Sequence, residues 1–162
     1  MPPPRAWIAV AGPGAAADEE LFRAEEAGAE IAAAGCGLVC GGLGGVIEAA
    51  CRGARSRGGL TVGLLPGLDR DAANGWVVVA LPTGLGEARN ALVVRAADAV
   101  VAIGGGWGTL SEIALARKAG VPVVGLGTWS PEPPAGSALD AELPLAADAR
   151  EAVATALRLA GR

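Results

Sequence analysis

Two short segments of this chain carry residue types that could do chemistry together. Gly104, Gly105 and Gly106 run into Trp107, Gly108 and Thr109, with Glu112 three residues further on. Gly41, Gly42, Leu43, Gly44 and Gly45 lead in the same way to Glu48, so both segments read G-G-x-G-[G/T]-x-x-E. Each follows an apolar run, ending at Ile103 and Cys40, and each therefore predicts a strand, a glycine loop and a helix. Glycines in such a turn let backbone approach a ligand closely, and the helix behind them offers unpaired N–H groups and the positive end of its dipole. That is chemistry for an anion, most often a phosphate.

Thr109 and Glu112 also fit a capping box, in which each side chain satisfies a backbone donor at the start of a helix. A capping box accounts for those two residues but does not require three consecutive glycines before them. Glu48 can be read as a carboxylate in a first helical turn, and Gly41 and Gly42 either as ligand contacts or as packing glycines. Upstream, Thr83 and Gly84 precede Arg89 and Asn90, which the pattern puts in the first turn of another helix. An arginine beside an anion-binding edge is a candidate clamp for phosphate or carboxylate. The segment from Gly12 to Ala17 fits a relaxed G-x-G-x-x-A. Pro13 removes an amide donor there and no carboxylate ends the second strand, so the reading favours a tight turn lining a ligand smaller than a dinucleotide.

Composition removes other mechanisms. The chain has no histidine, which excludes Ser-His-Asp and Cys-His catalysis and histidine-containing zinc sites within one chain. Its one lysine, Lys118, lies deep in the helix after the second glycine loop, a poor place for a Schiff base to pyridoxal phosphate. No metal and no resident cofactor are expected. Cys36, Cys40 and Cys51 sit in apolar surroundings and are expected to be reduced core thiols. A net charge of −4 with no basic run argues against a broad nucleic-acid footprint. Half of the residues are apolar, yet no run reaches the roughly 18 that a membrane span needs. With no signal-peptide pattern in MPPPRAW, a soluble cytoplasmic protein without membrane contact is expected.

The elements that must position these groups follow from periodicity. Apolar β-prone runs predict strands at 7–11, 37–40, 60–65, 76–81, 99–103 and 121–126, and alanine-rich stretches predict helices at 18–34, 46–57, 87–97, 109–119 and 149–159. Gly35, Gly58 and Gly120 read as helix stops and Asp18 as an N-cap. Strands bare of polar residues imply a parallel sheet covered on both faces, an α/β Rossmann-like doubly wound fold in one domain over 1–162. Its ligand site belongs at the carboxyl edge of the strands, where all four polar loops converge. The common sheet order would make the strands ending at Leu81 and Ile103 neighbours, with Arg89 and Glu112 facing one cleft. The Pro-rich stretch 127–143 reads as a surface loop, a connector in preference to a flap.

The run 87–112, EARNALVVRAADAVVAIGGGWGTLSE, resembles the LONELY GUY family of cytokinin riboside 5′-monophosphate phosphoribohydrolases and its sister group, the molybdenum-cofactor carrier proteins. The first group carries an Arg-Lys pair followed by PGGxGTxxE. Arg89 and Asn90 stand at the pair here, and Gly104 stands at the proline, followed by Gly105, Gly106, Gly108, Thr109 and Glu112. Members are often labelled possible lysine decarboxylases, a label at odds with the near absence of lysine. The resemblance implies that a nucleoside 5′-monophosphate sets its phosphate on the amides of 105–109. Glu112 would then stabilise the developing oxocarbenium ion or activate water, with Arg89 orienting it. Asn90 and Gly104 bring the sequence nearer to the carrier branch, which would hold a phosphorylated pterin without cutting it. The same resemblance implies a homodimer or homotetramer. Alanine-rich helices such as 113–119 could form its contacts, and loops such as 69–75 could read the base.

Overall fold

The computed structural model describes residues 2–139 and 142–162. Six strands form one all-parallel sheet: β1 (Trp7–Ala11), β2 (Gly37–Cys40), β3 (Thr61–Leu65), β4 (Val79–Pro82), β5 (Ala99–Gly104) and β6 (Val123–Thr128). Among the described residues four α-helices lie between strands, α1 (Asp18–Ala33), α2 (Val46–Ser56), α3 (Asn90–Arg95) and α4 (Trp107–Ala119), and α5 (Ala149–Leu159) follows β6. The order across the sheet is β4-β3-β2-β1-β5-β6, a doubly wound Rossmann-like arrangement that reverses between β1 and β5. Residues of β2 and β5 are buried throughout, because α1, α2 and α5 pack on one face while α3 and α4 pack on the other. Continuous Val, Ala and Ile runs are what a strand covered on both faces requires.

Alanine and glycine dominate the helix faces turned inward, and at one place this brings two backbones into contact. A Cβ on Gly28 of α1 would land on the Ala50 carbonyl of α2, and one on Gly53 of α2 would land on the Glu25 carbonyl of α1. The two helices are thereby drawn together beside β1 and β2, setting the spacing between the loops that lead into them. Cys36, Cys40 and Cys51 are buried free thiols in the same core, with the sulfurs of Cys40 and Cys51 3.6 Å apart.

Several expectations need correction. The strands ending near Leu81 and Ile103 are not neighbours: β4 is the outer edge strand, and β3, β2 and β1 stand between it and β5. The strand expected from Trp76 starts at Val79, because Val77 N–H bonds back to the Asn74 carbonyl and the Trp76 carbonyl accepts the Thr61 hydroxyl at 2.6 Å. The helix expected over 87–97 is a 3₁₀ turn, Gly86–Arg89, followed by the short α3. The chain enters that turn through Gly84 and Gly86, both at positive φ, which delays regular helix. Helix α4 begins at Trp107 rather than Thr109, and β6 runs from Val123 to Thr128 because Val121 N–H and Gly120 N–H still close the end of α4. Ala17, not Asp18, caps α1, with the Glu20 carboxylate accepting from Ala17 N–H at 2.9 Å. Ile113 and Ala116 of α4, expected on an outward contact face, are buried in the chain's own core.

The backbone contact of α1 with α2 predicts the effect of one substitution. Gly28→Val should destabilise the fold by about 3 kcal/mol or more, because a carbonyl cannot yield as a side chain does. Denaturant unfolding measures this directly, and an unchanged midpoint would mean that the helices do not meet at Gly28.

Candidate functional site

β1 and β5 lie side by side, but the chain leaves β1 towards α1 on one face and leaves β5 towards α4 on the other. A cleft of about 350 Å³ opens at that divergence, in the range of ~300–1,000 Å³ typical of small-ligand sites. Its donor side is the start of α4. The first bond of that helix runs from Leu110 N–H to the Gly106 carbonyl at 3.1 Å, so the N–H groups of Trp107, Gly108 and Thr109 precede the ladder, and no side chain caps them. The anticipated capping box is not formed. Thr109 is the third residue of the helix rather than its cap, and Glu112 lies a turn deeper. Thr109 is 2% exposed, and its Oγ1 has no hydrogen-bond partner among the described residues.

Arg89 reaches the same cleft by a route that the sheet order alone does not suggest. After β4 the 3₁₀ turn carries the chain back over the carboxyl edge, and the Arg89 guanidinium passes above Gly41. A Cβ at Gly41 would collide with that guanidinium, which gives this glycine its reason. Arg89 Nε is buried and unpartnered, and among the described residues Arg89 forms no ion pair. An unpaired buried polar group costs about 1–3 kcal/mol. Two of them beside a helix N-terminus are what a ligand with several acceptor oxygens would satisfy.

Glu112 is 6% exposed and also lines the cleft. Burial pushes its carboxyl up to about 7, and the positive charge of Arg89 opposes that shift only in part. Near neutral pH the group therefore exists in both protonation states and can give or take a proton.

The structure brings Gly12, Gly41, Arg89, Asn90, Gly106, Trp107, Gly108, Thr109 and Glu112 to the cleft wall. The other expected ligand residues stand outside it. Thr83 turns its hydroxyl to the Leu65 carbonyl at 2.7 Å, Gly84 donates to Gly67, and Gly42 accepts from Asn74 N–H at 2.8 Å. Gly104 packs against Glu20 and Pro13, and Gly105 lies off the wall. Pro13, Gly14, Leu43, Gly44 and Ile47 complete the lining. Apart from their own chain neighbours and helix backbone, nothing lies within 4 Å of where a Cβ on Gly14 or Gly108 would sit, so packing does not require glycine at either position.

Supports for the glycine loops come from elsewhere in the chain. Thr128 Oγ1 donates to the Gly104 carbonyl at 2.5 Å and Trp129 Nε1 to the Gly106 carbonyl at 3.1 Å, so the end of β6 and the residue after it hold the turn before α4. Asn74 Nδ2 donates to the Leu43 carbonyl at 2.8 Å and holds the other lip. The segment 69–75 thus braces the cleft without lining it. Trp129 and Asn74 lie in loops with no signal in their own sequence, and the stretch 127–143, read as a connector, does more than connect.

The buried acid makes stability depend on pH. The folded carboxyl titrates near 7 rather than at the 4.5 of a free glutamate, so the folded state binds the proton more tightly. Its stabilising effect is complete below about pH 4.5 and is lost as pH rises to about 7, on the order of 3 kcal/mol in all. Glu112→Gln should flatten that slope and leave the variant more stable than the wild type at pH 8. Denaturant midpoints at pH 5 and pH 8 decide the matter, and equal slopes for both proteins would show that Glu112 is solvated.

The chain matches solved structures along its whole length. It is 39% identical to the molybdenum cofactor carrier protein of Chlamydomonas reinhardtii, with a TM-score of 0.85 over 99% of this chain and 100% of that one. It is 36% identical to the molybdenum cofactor binding protein of Rippkaea orientalis, with a TM-score of 0.83 over 96% of each chain. An uncharacterized protein of Archaeoglobus fulgidus is 46% identical over 110 residues, covering 67% of this chain and 72% of that protein. Both of these solved structures stand on the carrier side of the resemblance seen in the sequence. A family model matches residues 5–153, and the chain belongs to the SLOG cluster4 family.

Proposed function

We propose that this protein binds and carries a phosphorylated pterin of the molybdenum-cofactor type. The phosphate would lie at the N-terminus of α4, taking the free N–H groups of 107–109, the Thr109 hydroxyl and the Arg89 guanidinium. The observation that carries this reading is the end-to-end likeness, at 36% and 39% identity, to two proteins that bind or carry that cofactor. Asn90 and Gly104, where the phosphoribohydrolases have lysine and proline, support the same reading. The chemistry required is reversible: oxygens of the ligand satisfy donors that otherwise stay buried without partners, and no bond in the cargo is cut.

A second reading, cleavage of a nucleoside 5′-monophosphate to free base and ribose 5-phosphate, has one observation in its favour. Glu112, with its carboxyl pushed up to about 7 and Arg89 nearby, could stabilise the oxocarbenium ion when ionised or protonate the leaving base when neutral.

The two readings part in one pair of assays. The purified protein is mixed with cofactor released from a molybdoenzyme, passed through gel filtration and assayed for fluorescent oxidised pterin. In parallel it is incubated with a panel of nucleoside 5′-monophosphates, and free base is followed by chromatography. Retained pterin with no base release is the expected result. Base release that disappears in Glu112→Gln would transfer the site to the hydrolase reading, and neither retention nor release would remove both.

Gly41 offers a test of the clamp itself. Gly41→Ala should fold normally, because the atoms nearest its Cβ belong to the far end of the long Arg89 side chain, yet it should displace the guanidinium and weaken phosphate-ester binding about tenfold, as loss of a charged hydrogen bond does. Unchanged affinity in calorimetry would mean that Arg89 does not touch the ligand.

A further inference from the structure

Trp107 is the first residue of α4 and lines the cleft, yet 79% of its surface remains in solvent. Leaving so large an apolar side chain open forgoes the stabilisation that burial would bring, and an indole in that position is a surface waiting for a partner. The ring is also held in place. Trp129 packs against it with centroids 5.4 Å apart and planes tilted by 32°, and Trp129 is itself fixed by its N–H bond to the Gly106 carbonyl at 3.1 Å. The carbonyl that anchors the supporting indole is thus the one that accepts the first hydrogen bond of α4. One turn of chain therefore presents both the free N–H groups for an anion and a braced aromatic ring. Leu43 and Ile47 give the same cleft an apolar portion that a bare phosphate would not use.

We infer that Trp107, braced by Trp129, is the stacking platform for the planar heterocycle of a ligand whose phosphate lies at the start of α4. This rests on the carrier reading for the phosphate position and adds what recognises the rest of the molecule: a flat, electron-poor ring within reach of its own phosphate. A ring stacked on indole gains from dispersion and from the quadrupole of the platform, and the contact tolerates different ring substituents because every such ring has a π-face. An aliphatic phosphate ester would occupy the same donors and leave the indole bare.

The test compares neopterin monophosphate with glycerol 3-phosphate, two phosphate monoesters that differ in the ring, by calorimetry on the full chain. Wild type should prefer the pterin ester by at least about tenfold. Trp107→Ala keeps the amide of residue 107 and should lose that preference, weakening the pterin ester by about tenfold more than glycerol 3-phosphate, and Trp107→Phe should keep most of it. A preference that survives in Trp107→Ala would overturn the inference. So would equal weakening of both ligands, which would make Trp107 a packing residue, or a change of mass in size exclusion, which would make it a subunit contact. Glycerol 3-phosphate binding without any preference for the ring would defeat the platform and leave the phosphate site standing. Failure of wild type to bind either ester would remove the phosphate site and the platform together.

Discussion

A parallel sheet that reverses its winding between two adjacent strands cannot close over its own carboxyl edge. β1 and β5 are paired, but the helices after them pack on opposite faces, so the turns at Gly12 and Gly106 diverge and leave a gap. The donors at the start of α4 open into that gap with no side chain to cap them. Much of the local sequence keeps the gap narrow without filling it. Gly12 and Gly45 let the β1 turn and the β2 loop touch, and Val46 N–H bonds to the Pro13 carbonyl at 3.1 Å. Thr128 and Trp129 then hold the β5 loop from the other side.

The polar groups inside the gap work against stability in the absence of ligand. Arg89 Nε and Thr109 Oγ1 are buried without partners, and Glu112 is a buried acid that one partly distant guanidinium does not fully compensate. A fold optimised only for stability would replace these with apolar residues of similar shape, as the rest of the core does with alanine, valine and isoleucine. Such groups persist where binding restores what folding gives up. Under the proposed carrier function the same arrangement would suit release of the cargo, because the donors are preorganised and the buried acid, raised to about 7, changes its charge near neutral pH.

The main features of the fold were legible in the residues because local and global signals agree there. β1 and β2 fall on their expected bounds, since apolar runs of four or five residues beside glycine allow little else, and α5 does so as an amphipathic stretch whose start is fixed by the Asp148 side chain accepting from Glu151 N–H. The convergence of Arg89 with Glu112 was anticipated, but through a strand order that does not occur; the 3₁₀ turn after β4 brings the Arg89 side chain back over Gly41 at the end of β2, and such a path leaves no trace in periodicity. Thr109 and Glu112 carried two meanings in the sequence, cap or cleft. Only the position of the first turn separates them, and a two-residue shift of a helix start lies below what propensity resolves. Trp129 and Asn74 act through hydrogen bonds to loop carbonyls, and a side chain in an irregular segment gives no sign of which carbonyl it will meet.

The account turns on whether Arg89 and Thr109 hold one tetrahedral anion at the start of α4. Crystals of the protein soaked in tungstate, a heavy mimic of phosphate, would answer by anomalous diffraction. The expected peak is a tungsten atom whose oxygens fall within hydrogen-bonding distance of Arg89 Nε, Thr109 Oγ1 and the amides of Gly108 and Thr109. Tungstate bound elsewhere, with both of those side-chain atoms still without a partner, would contradict it.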